Sequence, residues 1–132
     1  MQKTFATFAD ICAAQGKNEQ DYAISPTASN WDNFSTCTKR LWLYSKAYND
    51  GKPVEFANIS QTKYTPYHRI IPDTSRPFGF RLSCNDFAYD FSFSHLCARP
   101  PFLDSSAAIH VGQQHPEEFE QWYHYMQLAY QE

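Results

Sequence analysis

Glycine is scarce in this sequence, and its four glycines stand apart from one another. A phosphate-binding loop needs clustered glycines whose backbone N–H groups surround the phosphate, so no such loop is present. Cysteine pairs of the CxxC type and histidine pairs of the HxH or HExxH type are also missing. These are the usual signatures of zinc and redox sites. We therefore expect neither a bound metal nor a cofactor.

The sequence also lacks a strong charge of one sign and any long apolar run. The formal net charge is -3, so the whole chain offers no basic field that would attract nucleic acid nonspecifically. No apolar run approaches the roughly 20 residues that span a bilayer. The first residues, "MQKTFATFADI", do not have the charged-then-apolar pattern of a secretory signal. We expect a protein without membrane contact, located in the cytoplasm.

Aromatic residues are plentiful, at 17% of the chain. Rings bury large apolar areas, and they must supply most of the core here because leucine, isoleucine and valine are few. A chain of 132 residues is long enough to build one core, so residues 1–132 are predicted to form a single domain. The four widely spaced cysteines are expected to be reduced and buried.

Two helices are predicted in the first half of the chain. Thr7 and Asp10 have the spacing of a capping box, and the apolar pattern after Thr7 continues until Gly16. This pattern predicts a helix at about residues 8–15. From 30 to 50, apolar residues recur at steps of three and four and predict a longer amphipathic helix. Its basic residues are expected to lie on a solvated face.

Two more helices are predicted near the end of the chain. Asp104 or Ser105 is suited to cap a short helix, "SSAAIHV", which Gly112 is expected to end. Pro116 is suited to the first turn of a last helix, followed by glutamates where the helix dipole favours them. The apolar residues of this segment again form one stripe.

Three stretches have the composition of strands. "KYTPYHRII" predicts an edge strand, or a strand that begins after Pro66, because proline cannot donate to a ladder. "FGFRLSC" and "DFAYDFSFS" alternate with period two on either side of Asn85 and Asp86. We predict a hairpin at about 78–93 with these two residues as its turn. "CARPPFL" is a candidate for a further short strand.

In the predicted register, apolar residues from the two arms of the hairpin face one another. The pairs are Cys84 with Phe87, Leu82 with Tyr89, Phe80 with Phe91 and Phe78 with Phe93. On the other face Arg81 lies opposite Asp90, which is a favourable charge pair. The predicted fold is α+β, with a three- or four-stranded antiparallel sheet packed against amphipathic helices.

The row of rings is predicted to belong to the core. Burial of one phenylalanine is worth roughly 1.5 to 3 kcal/mol, so exposing eight such positions would remove about as much free energy as a domain of this size has. An alternative is a stacking platform for single-stranded nucleic acid. In that hypothesis the rings accept bases, and Arg69, Arg76, Arg81 and Arg99 are the candidate phosphate contacts.

Histidine and cysteine offer another alternative, a small hydrolase. His95 lies near Cys97 and next to Ser94, so either side chain is a conceivable nucleophile with a histidine base. Adjacent residues of a strand point to opposite faces, which weakens a Ser94–His95 pair. Because no complete catalytic signature is present, we predict no catalytic residues and favour a noncatalytic protein.

Five segments provide landmarks along nearly the whole chain: "TFADICAAQG", "KRLWLYSKAYNDGKPVEF", "KYTPYHRI", "GFRLS" and "HLCARPPFLDSSAAIHVGQQHPEEFEQWYHYM". In their order they resemble a group of short proteins from phages and prophages of gut anaerobic bacteria. The sequence departs from that group at "ARPPF" and "HPE". The resemblance implies a small α+β protein with a virus-encoded accessory or structural role, in the host cytoplasm or in a phage particle. It implies no catalytic residue.

The favoured hypothesis is therefore a noncatalytic protein that binds another protein, whether itself, a phage protein or a host protein. Tyrosine and tryptophan are enriched at the centres of protein interfaces. The candidate interface residues are Trp42, Tyr67, Trp122 and Tyr125. Single-stranded nucleic-acid binding and a His/Cys-dependent hydrolase remain the alternatives.

Overall fold

Residues 3–90 and 99–132 are described by the structure, a computed structural model, and they form four α-helices and two antiparallel strands. The elements are α1 (Phe8–Ala13), a 3₁₀ helix (Glu19–Tyr22), α2 (Asn30–Tyr48), β1 (Lys63–Pro72), β2 (Phe80–Asp90), α3 (Ser105–Gln114) and α4 (Pro116–Tyr130). The predicted α+β class is confirmed. The two strands of these ranges are fewer than the three or four predicted. Phe91, Phe93, Ser94, His95 and Cys97 lie outside the described residues.

Three of the four α-helices begin where a short polar side chain binds free backbone N–H groups. Thr7 and Asp10 form the predicted capping box at the start of α1, which ends at Ala13. Ser29 accepts a hydrogen bond from the backbone of α2, and Asp104 does the same for α3. Pro116 occupies the first turn of α4, as predicted.

Gly112 does not end α3, and this part of the prediction is wrong. The helix continues to Gln114. A Cβ atom placed on Gly112 would lie 2.5 Å from Cys84 Sγ and 2.8 Å from Pro66 Cβ. Because glycine has no side chain, α3 can approach the two strands closely at this position.

The predicted hairpin with a turn at Asn85-Asp86 is also wrong. β2 passes through both residues and pairs antiparallel with β1. The connection between the strands is 73–79, where the Asp73 N–H donates to the Gly79 carbonyl at 2.9 Å and Gly79 has a φ of 83°. Arg81 pairs with Ile71 and not with Asp90, whose partner is Lys63.

A β-bulge explains why the sequence pattern was misleading. Tyr67 pairs with Asp86 and His68 with Cys84, so Asn85 is the extra residue of β2. The extra residue shifts by one position the alternation of side chains between the two faces of the strand. A turn at Asn85 and Asp86 would give the same shift in the sequence pattern. The apolar residues on the two sides of Asn85 therefore share a face, but their partners lie on β1.

The core lies between the strand pair and the helices. α3 packs against both strands, and α2 packs against α4. Phe102 is fully buried and forms an isolated antiparallel bridge with Tyr64, which is all that the described part of "CARPPFL" contributes to the sheet. The core residues include Ile11, Cys12, Cys37, Leu41, Tyr44, Phe102, Val111, Phe119 and Trp122. Within the described ranges, no helix has both the length and the apolarity needed to cross a bilayer.

Candidate binding cavity

A cavity of about 510 Å³ opens beside the C-terminal end of α2, and we call it the α2 cavity. Its size lies within the range of about 300 to 1,000 Å³ that is usual for ligand sites. Its walls come from the N-terminal segment, the end of α1, the second half of α2, the loop that follows α2, and Pro101. The lining residues are Lys3, Phe5, Ala14, Gln15, Trp42, Ser45, Lys46, Ala47, Asn49, Asp50, Gly51, Lys52, Pro53, Val54, Phe56 and Pro101.

One face of α2 forms the floor of the α2 cavity. Trp42, Ser45 and Asn49 have the spacing i, i+3 and i+7, which places their side chains on one side of the helix, and Lys46 follows Ser45 with an exposed side chain at the rim. Ser45 donates a hydrogen bond to the Pro101 carbonyl, and the Asn49 amide donates to the same oxygen at 3.0 Å. The floor is therefore a fixed surface in which these two polar side chains are bonded to the backbone.

The N-terminal segment forms a second wall. The Phe5 N–H donates to the Tyr48 hydroxyl at 3.1 Å, and the two rings meet edge to face with centroids 5.1 Å apart. The Lys3 ammonium lies 2.8 Å from an Asp50 carboxylate oxygen. The hydrogen bond from Lys3 lowers the pKa of Asp50 below its usual value. Two contacts thus hold an extended segment along the end of α2.

The third wall is the loop 51–62, which turns back over α2. Asp50 and Gly51 both have left-handed backbones, with φ values of 52° and 78°, and this pair reverses the chain. Phe56 then reaches Trp42, with ring centroids 6.4 Å apart. The side chain of Gln61 accepts from the Glu55 N–H at 2.7 Å and donates to the Pro53 carbonyl at 2.9 Å. Gln61 therefore holds the part of the loop that carries Phe56.

The charge of the α2 cavity is opposite in sign to that of the whole chain. Its described ionisable side chains are three lysines and one aspartate, a balance of two positive charges, whereas the chain has a formal net charge of -3. Aromatic and aliphatic side chains lie inside this lysine rim. The combination suits an apolar group that carries negative charge at its edge.

The four predicted interface residues do not meet on one surface. Trp42 lines the α2 cavity, while Tyr67 is 58% exposed on β1. Trp122 is only 5% exposed, and its indole N–H donates to Thr38 Oγ1 at 3.0 Å, so it belongs to the core. Tyr125 is partly buried beside the His124 ring.

The four predicted arginine contacts are divided as well. Arg69 and Arg81 are exposed. Arg69 pairs with Ser83, two residues from Arg81 on β2, so the two arginines lie diagonally on one face of the sheet. Arg76 is engaged by Glu120, with N–O distances of 2.9 and 2.5 Å. Arg99 is partly buried; burial raises the pKa of Tyr123, and the positive charge of Arg99 opposes that rise.

A histidine and a cysteine do face each other, but inside the packed core. His68 is paired with Cys84 across the strands. Burial lowers the pKa of His68 to about 4 and raises the pKa of Cys84, which opposes formation of the thiolate that a nucleophile needs. In the described ranges, no three histidine, cysteine or acidic side chains are grouped as metal ligands would be.

Comparison with known proteins gives no relative: no family model, no curated protein and no solved structure matches the chain. The residues that sequence reasoning missed are those of the N-terminal segment and of the loop 51–62. Gly51 and Pro53 follow α2 and are residue types that end a helix, but only the folded chain brings Phe5 and Phe56 to Trp42.

Proposed function

We propose that this protein is a noncatalytic, phage-type accessory or structural protein that binds another protein through the α2 cavity. The observation that carries the proposal is the cavity itself, with Trp42, Phe56 and Phe5 on its walls. Concave apolar sites with aromatic walls receive the anchor side chains that contribute most of the energy of many interfaces. The phage-type role comes from the resemblance of the sequence and is part of the proposal.

Affinity capture from the native bacterial host, followed by mass spectrometry, tests this function. The bait is the full chain, compared with Trp42→Ala and with Trp31→Ala as the matched control. Trp31 is 56% exposed and does not line the cavity. We expect a partner that is retained by Trp31→Ala and lost from Trp42→Ala. Equal retention by both variants contradicts docking at the cavity.

A second candidate function is single-stranded nucleic-acid binding on the outer face of the strand pair. The observation that favours it is that Tyr67, Arg69 and Arg81 are exposed there, and that all three share this face. Arg81 also lies 3.6 Å from Asp73, which reduces the positive charge of the face. The lower positive charge makes this the weaker candidate.

Oligonucleotide titration at low salt separates the two functions. If nucleic acid binds at this face, the affinity for a short single strand falls as salt rises and is lost in the double variant Arg69→Ala/Arg81→Ala. Lys39→Ala serves as the comparison, because Lys39 is exposed on α2 and not on this face. Absence of binding at low salt removes this candidate.

A further inference from the structure

We infer that the segment bound in the α2 cavity is acidic, with an aromatic or large aliphatic anchor residue that packs against Trp42 and Phe56. This inference rests on the proposed function and adds the chemistry of the partner. Its basis is the charge of the rim together with the apolar character of the walls.

The lysines of the rim are not equivalent. Lys3 is paired with Asp50 at 2.8 Å, so these two charges largely cancel. Lys46 and Lys52 form no hydrogen bond or ion pair with any side chain in the described part of the chain, although the charge of Lys52 adds to that of Lys3 in lowering the pKa of Asp50. Two ammonium groups therefore remain available at the mouth of the cavity.

The dipole of α2 does not reverse this balance. The C-terminal end of a helix carries about half a unit of negative charge. That is less than the charge of Lys46 and Lys52 together. Carboxylates that flank the anchor are consequently favoured at the rim, and a basic segment is repelled.

The floor of the cavity directs recognition to charge and apolar contact. The Ser45 hydroxyl and the Asn49 side-chain NH₂ group already donate to the Pro101 carbonyl. The side-chain oxygen of Asn49, Oδ1, accepts from the Leu103 N–H at 2.9 Å. An anchor residue with an apolar side chain leaves these hydrogen bonds intact. Carboxylates beside the anchor then reach the rim, where Lys46 and Lys52 lie.

The same features favour a peptide over nucleic acid as the occupant. A single strand needs a positive groove that follows its backbone over several nucleotides. Here the cavity offers the charges of Lys46 and Lys52, on a chain whose net charge is -3. A short acidic segment with one anchor matches that local charge.

Titration of the full chain with short peptides, followed by the indole N–H signals of its three tryptophans, tests the inference. The probes are acetyl-EDFDE-amide, the same peptide with alanine in place of phenylalanine, the uncharged acetyl-QNFNQ-amide and a six-nucleotide oligothymidylate. We expect the first peptide to shift the Trp42 signal, with Trp31 and Trp122 unchanged. The uncharged peptide should bind at least about tenfold more weakly, and added salt should reduce the difference.

Charge-reversal variants provide the second arm. Lys46→Glu and Lys52→Glu should each weaken binding of the acidic peptide, whereas Lys39→Glu should not, because Lys39 is an exposed residue of α2 outside the cavity. Equal binding of the acidic and uncharged peptides overturns the inference and leaves docking at Trp42 intact. A Trp42 shift caused by the oligonucleotide alone, or no shift with any peptide, also overturns it. Host capture with Trp42→Ala decides the proposed function separately.

Discussion

Arg40 of α2 and Glu118 of α4 form a two-point ion pair, with N–O distances of 2.9 and 2.6 Å. The pair is largely shielded from water, and the Arg40 guanidinium also lies 3.7 Å from the centre of the Phe8 ring. It therefore connects three helices at one place. Glu118 is one of two buried glutamates at the start of α4, the other being Glu120, which binds Arg76.

Removal of one partner of this ion pair should be more harmful than removal of both. Arg40→Ala leaves the Glu118 carboxylate buried without its cation, and we expect a loss of about 3 to 5 kcal/mol in the free energy of unfolding. The double variant Arg40→Met/Glu118→Leu should lose clearly less. Urea unfolding at neutral pH measures both. A double variant that is less stable than Arg40→Ala would contradict this account of the pair.

Gly112→Ala tests the close approach of α3 to the strands. The added methyl group would overlap Cys84 Sγ and Pro66 Cβ, so we expect destabilisation of about 1 to 3 kcal/mol although alanine is the better helix former. Cys84→Ala removes the nearest atom and should recover part of the loss when the two changes are combined. Thermal unfolding of the three variants gives the coupling. A stabilised Gly112→Ala protein would show that the contact is not tight.

Acid should destabilise the fold through His68. Burial lowers the pKa of His68 from 6.5 to about 4. Between these values the unfolded chain binds a proton at His68 that the folded chain does not bind. The free energy of unfolding is therefore unaffected by His68 above about pH 6.5, and it decreases by up to about 3 kcal/mol as the pH falls to 4. Burial lowers the pKa of His115 as well, which adds to the effect in the same direction.

The variant His68→Leu isolates this contribution. His68 lies against the Phe119 ring, with centroids 4.5 Å apart, so an aliphatic side chain is compatible with its surroundings. Urea unfolding of both proteins across the pH window should show a smaller decrease for the variant. The same decrease in both would mean that His68 does not titrate in this range.

Gln61 positions the loop 51–62 without lining the cavity. Gln61→Ala removes the bonds to the Glu55 N–H and the Pro53 carbonyl. The loop is exposed, so we expect a loss of only about 1 kcal/mol in stability. Faster amide hydrogen exchange at residues 53–58, together with weaker binding of the acidic peptide, is the expected result. Asn58→Ala, which removes the side-chain hydrogen bonds to the Glu55 carboxylate and from the Ser60 N–H, is the comparison within the same loop.

Local signals made much of the fold predictable. The Thr7–Asp10 capping box and Pro116 mark helix starts because caps depend on a few adjacent residues. Strand pairing depends on distant residues, and here a bulge at Asn85 produced the alternation that a turn would also give. Gly112 was misread for a similar reason, since its role is a contact with Cys84 on another element.

The candidate site was predictable only in part. Trp42, a predicted interface residue, lines the α2 cavity, but Trp122 has the same residue type and is buried. Nothing local in the sequence distinguishes them. In the same way, Glu120, which is 44 residues away in the sequence, forms an ion pair with Arg76 and neutralises its charge. Sites built from distant segments require the tertiary structure.

The central claim is that the α2 cavity receives the partner protein, and site-specific photo-crosslinking in the native host tests it most directly. A benzophenone amino acid replaces Phe56 at the cavity wall, or Tyr130 as a control that is 86% exposed and outside the cavity. We predict a discrete adduct from position 56 that disappears when Trp42→Ala is added. The same adducts from both positions, or an adduct unaffected by Trp42→Ala, would contradict the account.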